Sequence, residues 1–247
     1  MSQKLETLSG IHVVAEALRA RRRSLRVLYL AKDFDPKKED FRHLADTAKV
    51  RRVEISRAEL DRMVPNSRHQ GVALLASPIP ESDLGEVLVS SSILLASDGI
   101  EDPQNFGALL RVADAMGASG LITTRRRASP TTLAVGKASA GALEHVPIVR
   151  VTNLRRALGL ARDSGFWIIA ADSEGETSLY SPEVDRLWRD RVLLVLGSEG
   201  KGLRPVIRKT ADVVIRIPMQ GRVESLNVTN AAAVILSSRA HSRKSGS

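Results

Sequence analysis

From residue 93 onward the chain repeats one rhythm: short apolar runs, each followed by a stretch with helical spacing. Ile93-Leu94-Leu95-Ala96, Gly120-Leu121-Ile122-Thr123, Val146-Pro147-Ile148-Val149, Phe166-Trp167-Ile168-Ile169-Ala170 and residues 192–196 and 213–217 read as strands. Residues 109–116, 133–143 and 154–161 read as helices between them, and residues 231–236 belong to a final helix. A strand that is apolar at nearly every position must be covered on both faces, which is the condition of a parallel sheet with helices above and below it. In such sheets ligands sit at the carboxyl ends of the strands. The predicted fold class is therefore α/β.

The front of the chain reads as a smaller α/β unit. Residues 11–18 have helical spacing, residues 26–30 and 53–55 and 72–75 read as strands, and Phe41, Leu44, Ala45 and Ala48 mark one face of a helix. Ser77-Pro78-Ile79-Pro80-Glu81-Ser82-Asp83 is rich in turn formers and reads as a linker. The expected organisation is a small domain over residues 1–77, a linker over 78–90 and a larger domain over 91–247.

Charge narrows the partners. The chain has 37 Lys/Arg against 28 Asp/Glu, a net +9, and a pI near 10.3, which suggests a polyanion. Residues 1–77 hold 16 Lys/Arg against 10 Asp/Glu, so the smaller segment carries most of the excess. Its clusters are Arg19, Arg21, Arg22, Arg23 and Arg26, then Lys49, Arg51 and Arg52; Arg125-Arg126-Arg127 lies in the larger segment. Such runs also serve simply as solvated surface. Aromatic residues are only 3%, so if that polyanion is a nucleic acid, phosphate and shape contacts, not base stacking, would have to dominate its binding. Cysteine is absent, which excludes disulfides, zinc–thiolate sites and a cysteine nucleophile. The five histidines show no metal-binding spacing, and no metal is expected. No apolar run approaches the roughly 20 residues of a membrane helix, and the N-terminus lacks a signal-peptide core, so a cytoplasmic protein without a membrane partner is expected.

Three loops at strand ends hold unusual residues. Residues 98–107 contain two glycines and a proline and lead to Arg111; Asn105 and Arg111 are expected near one helix start. Residues 197–202, Gly-Ser-Glu-Gly-Lys-Gly, follow an apolar strand and imitate a phosphate-binding loop, but Val195 and Gly202 break that pattern. A neutral or cationic adenosine compound fits better than a nucleotide phosphate. Residues 217–228 carry Ser225 and Asn227 at the start of an Ala-rich helix, where simple N-capping by either residue is the alternative reading. His145 could act as a base or serve structure.

In order and spacing, "DGIEDPQNFGALLR", "LVLGSEGKGL" and "IPMQGRVESLNVTNAAAV" resemble the three motifs of the SpoU family of RNA ribose 2′-O-methyltransferases. "GALEHVP" and "RVTNL" resemble the family as well, and "GIHVVAEAL" and "HQGVAL" resemble the small RNA-binding domain of its two-domain members. The resemblance implies a C-terminal trefoil knot in the parallel-sheet domain, which ordinary rules of chain topology disfavour. It implies S-adenosyl-L-methionine as cofactor, contacted by Gly197, Ile217 and Leu226 largely through backbone groups, with Leu196 and Met219 beside them. It implies a catalytic set of Asn105, Arg111, Glu199, Ser225 and Asn227: Arg111 as base or, in the preferred reading, as an electrostatic clamp on phosphate and the developing alkoxide, Asn105, Ser225 and Asn227 positioning it and the ribose, and Glu199 holding Arg111 or its loop. RNA is the implied substrate, in particular a guanosine of 23S rRNA, and a homodimer is the implied assembly. A tRNA substrate, another rRNA site and a catalytically silent RNA-binding relative are the alternatives.

Overall fold

The structure, a computed structural model, describes residues 5–65 and 68–245, with side chains through residue 242. The chain divides into two units, one comprising residues up to Pro80 with Thr131–His145, the other comprising Glu81–Pro130 and Val146–Ser247.

In the front unit, β1 (Glu6–Ser9), α1 (Ile11–Ala20), β2 (Leu25–Ala31), α2 (Phe41–Ala48), β3 (Arg51–Ile55), α3 (Arg57–Met63) and β4 (Val72–Ala76) follow in order. The sheet order is β1-β4-β2-β3; β4 is antiparallel to both neighbours and β2 is parallel to β3. Val13, Val14, Ala17 and Leu18 form the buried stripe of α1 and share a core with Leu28, Leu30, Phe41 and Leu74. Two elements escaped the sequence reading. One is β1, too short to show alternation; the other is α3, whose Ser56–Glu59 capping box was a local signal.

The rear unit begins earlier than expected. Residues 84–90, read as linker, form α4 (Leu84–Ser90), capped by Asp83, whose Oδ1 accepts from Glu86 N at 3.1 Å. Val87 and Leu88 of α4 are buried in the rear core, so a Pro-rich start masks an apolar helix. There follow β5 (Ile93–Asp98), α5 (Pro103–Ala115), β6 (Leu121–Thr124), α6 (Leu133–Ala138), β7 (Ile148–Val151), α7 (Leu154–Asp163), β8 (Trp167–Ala171), β9 (Thr177–Ser178), α8 (Pro182–Leu187), β10 (Val192–Gly197), α9 (Pro205–Arg208), β11 (Val213–Arg216) and α10 (Val228–Ser245). The sheet order is β7-β6-β5-β10-β8-β11-β9, and each of these pairings is parallel. The chain winds outward from β5 to β7 and then returns to the other side, which makes the β5–β10 boundary a topological switch point. Leu94, Ala96, Ile168, Ala170, Leu193 and Val195 meet Leu154, Ala157, Leu158 and Ala161 of α7 in one core.

Residues 131–145 depart from the expected division. The helix expected over 133–143 stops at Ala138 and resumes as a 3-10 turn, Ala142–Glu144, and the segment groups with the front unit. Arg23 and Glu144, with side chains each 1% exposed, make a bidentate pair at 2.8 Å, and Arg23 also donates to the Ser77 carbonyl at 3.0 Å and to Glu6. Removing either partner would strand a buried charge, which is why this contact fixes the segment in place. Arg23 is thus an interior residue of the front unit and not part of an exposed basic cluster.

Candidate active site

Strand ends and their loops build the site. Gly197 ends β10 opposite Asp98, which ends β5. The loop after Gly197 closes on itself: Ser198 N donates to Gly202 O at 3.2 Å and Gly202 N to Ser198 O at 2.9 Å. A Cβ on Gly197 would lie 2.3 Å from the Gly202 carbonyl carbon and 2.5 Å from Leu203 N. Glycine is therefore required here because the chain crosses its own backbone, a reason nearer than the approach of a ligand. Asp98, only 3% exposed, fastens the far end of that loop, accepting from Arg204 N at 2.9 Å and Arg204 Nε at 2.7 Å. The sequence reading did not single out this pair; its signal was a carboxylate closing an otherwise apolar strand.

Asn227 is the hub of the polar cluster. Its Oδ1 accepts from Thr229 N at 2.8 Å and from Thr229 Oγ1 at 2.6 Å, capping α10. That fixes the amide orientation, since a backbone N–H can only donate. Nδ2 is left to donate to Asn105 Oδ1 at 3.0 Å and to Glu199 Oε1. Capping and site-building are both performed by one side chain. Asn105 is brought to this point by α5, whose first turn has Pro103 and the Asp102 cap, with Asn105 N donating to Asp102 Oδ2 at 2.9 Å.

Beside the cluster lies a cavity of about 480 Å³ at the carboxyl ends of β8, β10 and β11. Leu196, Gly197, Ile217, Met219 and Leu226 all line it, as do Glu199, Ser225 and Asn227. Its ionisable lining residues are Asp172, Glu199 and Glu224; no Lys, Arg or His contributes. An apolar cleft with acidic groups suits an adenosine compound bearing a positive sulfonium and opposes a phosphorylated nucleotide.

Arg111 stands apart. It is exposed and has no hydrogen-bond or ion-pair partner among the described residues. Six residues beyond Asn105 on α5, it lies about 9 Å along the helix and about 120° around it. It does not share the helix start, and the Glu199 carboxylate holds Asn227 instead. His145 Nε2 meets Glu16 Oε2 at 2.7 Å within the front unit, so its role is structural. Among the described residues, no group of three or more His, Asp or Glu is placed to hold a metal, and no helix is long and apolar enough to cross a membrane.

The cleft at the switch point suits an adenosine compound, and similarity to known proteins shows which chemistry it serves. The model of the SpoU rRNA methylase family matches residues 92–237, and that of RNA 2′-O ribose methyltransferase substrate binding matches residues 7–82. The chain belongs to the SpoU rRNA methylase family and is an S-adenosylmethionine-dependent RNA ribose 2′-O-methyltransferase. Its similarity to individual proteins extends over nearly the whole chain. It is 36% identical over 242 residues to the 23S rRNA (guanosine-2′-O-)-methyltransferase RlmB of Burkholderia sp, covering 94% of this chain and 95% of that one. It is 38% identical over 238 residues to RlmB of Ralstonia nicotianae, covering 94% of each. Among solved structures, the SpoU methyltransferase AviRb of Streptomyces viridochromogenes superposes with a TM-score of 0.80 at 25% identity, covering 98% of this chain and 91% of that one.

Proposed function

We propose that this protein methylates the ribose 2′-hydroxyl of a guanosine in 23S rRNA, acting in the cytoplasm as a homodimer whose C-terminal segment is knotted. The observation that carries the reaction is the Asn105–Asn227–Glu199 cluster at the rim of a cavity without cationic side chains. The choice of 23S rRNA rests on the two RlmB relatives.

S-adenosylmethionine supplies an electrophilic methyl group when bound. The loops carrying Leu196, Gly197, Ile217, Met219 and Leu226, which line the cavity, would hold it, and the acidic lining would favour its positive charge. For a ribose hydroxyl to receive that methyl, this chain's residues would have to orient the hydroxyl and accept its proton. Glu199 Oε1 is occupied by Asn227, which leaves Oε2 as an acceptor for the hydroxyl proton. Asn105 and Ser225 position the ribose. Arg111 presents a planar fork of donors and no acceptor. It acts as an electrostatic clamp on RNA phosphate and the developing alkoxide.

The position of Arg111 on α5 supports a site completed by assembly. A surface cavity of about 930 Å³ runs between the end of α5 at Met116, the exposed Tyr180 and the α10 residues Ala233 and Val234. A recess of that size, lined by Met116, Leu179, Ala233 and Val234 together with Ser237 and Ser238, is what a second copy would cover. Light scattering at low micromolar concentration tests the dimer; a monomer that still transfers methyl groups overturns it. Mapping ribose methylation on 23S rRNA from cells with and without the gene tests the substrate. Loss of no 23S site overturns that part.

A further inference from the structure

Four arginines at the active-site end of the rear sheet take no part in the chemistry above. β6 and β7 are adjacent and parallel, with Thr124 opposite Val151, so the loops leaving their carboxyl ends are neighbours. The first loop carries Arg126 and Arg127; the second leads into α7, whose first turn carries Arg155 and Arg156. All four are exposed, and none of their guanidinium groups has a partner among the described residues.

The nearest arginines behave differently. Arg125 is paired with Glu81 at 2.7 Å, and the half-buried Arg150 donates to the Ser129 carbonyl at 2.8 Å. These contacts hold the loop. Arg125 N donates to Val151 O at 2.9 Å, and Ser129, fully buried, donates through its N to Ile100 O at 3.1 Å. Ile100 belongs to the loop between β5 and α5, so the basic loop is bonded directly to a loop of the active site. Arg127 has φ 58°, a left-handed conformation that a non-glycine residue keeps only where its surroundings enforce it. Arg155 and Arg156 sit where the helix dipole disfavours cations, and an anion bound there would relieve that opposition. Glu101 and Asp102 are exposed on the neighbouring loop, and with four guanidinium groups against two carboxylates the rim remains net positive.

We propose that Arg126, Arg127, Arg155 and Arg156 form a site on the methyltransferase unit for the phosphate backbone of the substrate RNA, close to the target nucleotide. This rests on the rRNA reading above and adds to it where the strand is gripped. β6 and β7 lie two and three strand spacings from β10, or about 10 and 15 Å. At roughly 3.4 Å or more of rise per nucleotide, the phosphates reached are within a few nucleotides of the reacting ribose. Fixed backbone contacts of this kind position a substrate without reading its sequence.

The test compares wild type, the double variant R126Q/R127Q and R189Q on unmethylated rRNA transcribed in vitro. Arg189 is an exposed arginine just before β10, at the other end of the sheet, and controls for loss of charge alone. For the double variant we expect KM for RNA to rise about tenfold while kcat changes less than twofold. The slope of log K against log salt should shrink by about 1 to 2. R189Q should alter neither, and S-adenosylmethionine affinity by calorimetry should match wild type in both. Unchanged slope and KM in the double variant, or equal losses in R189Q, would overturn the proposal. Wild type that binds this RNA but methylates none of it would remove the substrate reading while the slope comparison still decides this one.

Discussion

The two units bury polar groups in opposite ways. The front unit places an ion pair, Arg23 with Glu144, in its interior, and spends other arginines on surface pairs such as Arg19 with Glu39 at 2.8 Å and Arg57 with Asp33 at 2.6 Å. The rear unit keeps its sheet apolar and gathers buried polar residues at the strand ends, where Ser97, Asp98, Thr123 and Thr124 are each at most 8% exposed. Four exposed arginines at that end, Arg126, Arg127, Arg155 and Arg156, have no side-chain partner among the described residues. Net charge alone points to the front segment as the RNA-binding surface; pairing shifts part of that weight to the rear unit. The difference follows from sheet type. A parallel sheet covered on both faces leaves only its ends for polar chemistry, whereas a small mixed sheet has too little core to dispense with charged staples.

The sharpest way to break the rear unit is Gly197→Val. Its Cβ would meet backbone at 2.3 Å, so the loop carrying Glu199 cannot close. Cofactor binding should fall below detection by calorimetry, with a lower Tm; near-normal affinity would refute the crossing as the reason for glycine. In the front unit the counterpart is Glu144→Gln, which removes the buried one of the two carboxylates that pair with Arg23 and leaves only the partly exposed Glu6. The expected loss is about 3–5 kcal/mol, read by hydrogen exchange in β1, β2 and β4, while S-adenosylmethionine affinity stays unchanged. The same contact warns that a truncation ending at residue 80 would strand Glu144.

At the cluster, Asn227→Ala should slow single-turnover methyl transfer by about 10²–10³ and weaken the α10 cap by ~1 kcal/mol. Arg111→Ala should reduce the rate by a similar factor while sparing cofactor affinity. Arg111→Lys discriminates between base and clamp, because lysine lacks the planar fork; a lysine variant as fast as wild type near neutral pH would end the clamp reading. The smallest effect concerns Glu16. Burial raises its pKa, but hydrogen bonds from His145 and Arg19 outweigh this and hold it below the ordinary carboxylate range. A lowered folded-state pKa contributes stability above the unfolded value, lost as pH falls through the folded one. Glu16→Gln should therefore cost under about 1 kcal/mol at neutral pH, and the difference from wild type should vanish in acid. A difference that persists in chemical denaturation at low pH would assign the effect to packing.

Legibility differed from element to element. Six rear strands were readable because each is a local apolar run, whereas β9, two residues long, offered no run at all. The loops around Gly197 and Ile217 were readable because glycine and proline mark turns wherever they fall. By contrast, α4 hid behind a Pro-rich start, and the role of Arg23 was hidden because any arginine run looks solvated until its partners are known.

By itself, the sequence determined the α/β class, the three strand-end loops and the absence of thiol chemistry, since each of these rests on composition or on residues within a turn or two of one another. Tertiary structure alone decided that residues 131–145 fold with the front unit, through a contact spanning 121 residues, and that Asn105 meets Asn227 across 122. It also set Arg111 away from that cluster and left Arg126, Arg127, Arg155 and Arg156 without a side-chain partner among the described residues. Local propensity fixes where a strand ends; which strand ends become neighbours depends on the order in which the sheet is wound, and no short stretch of the chain contains that order.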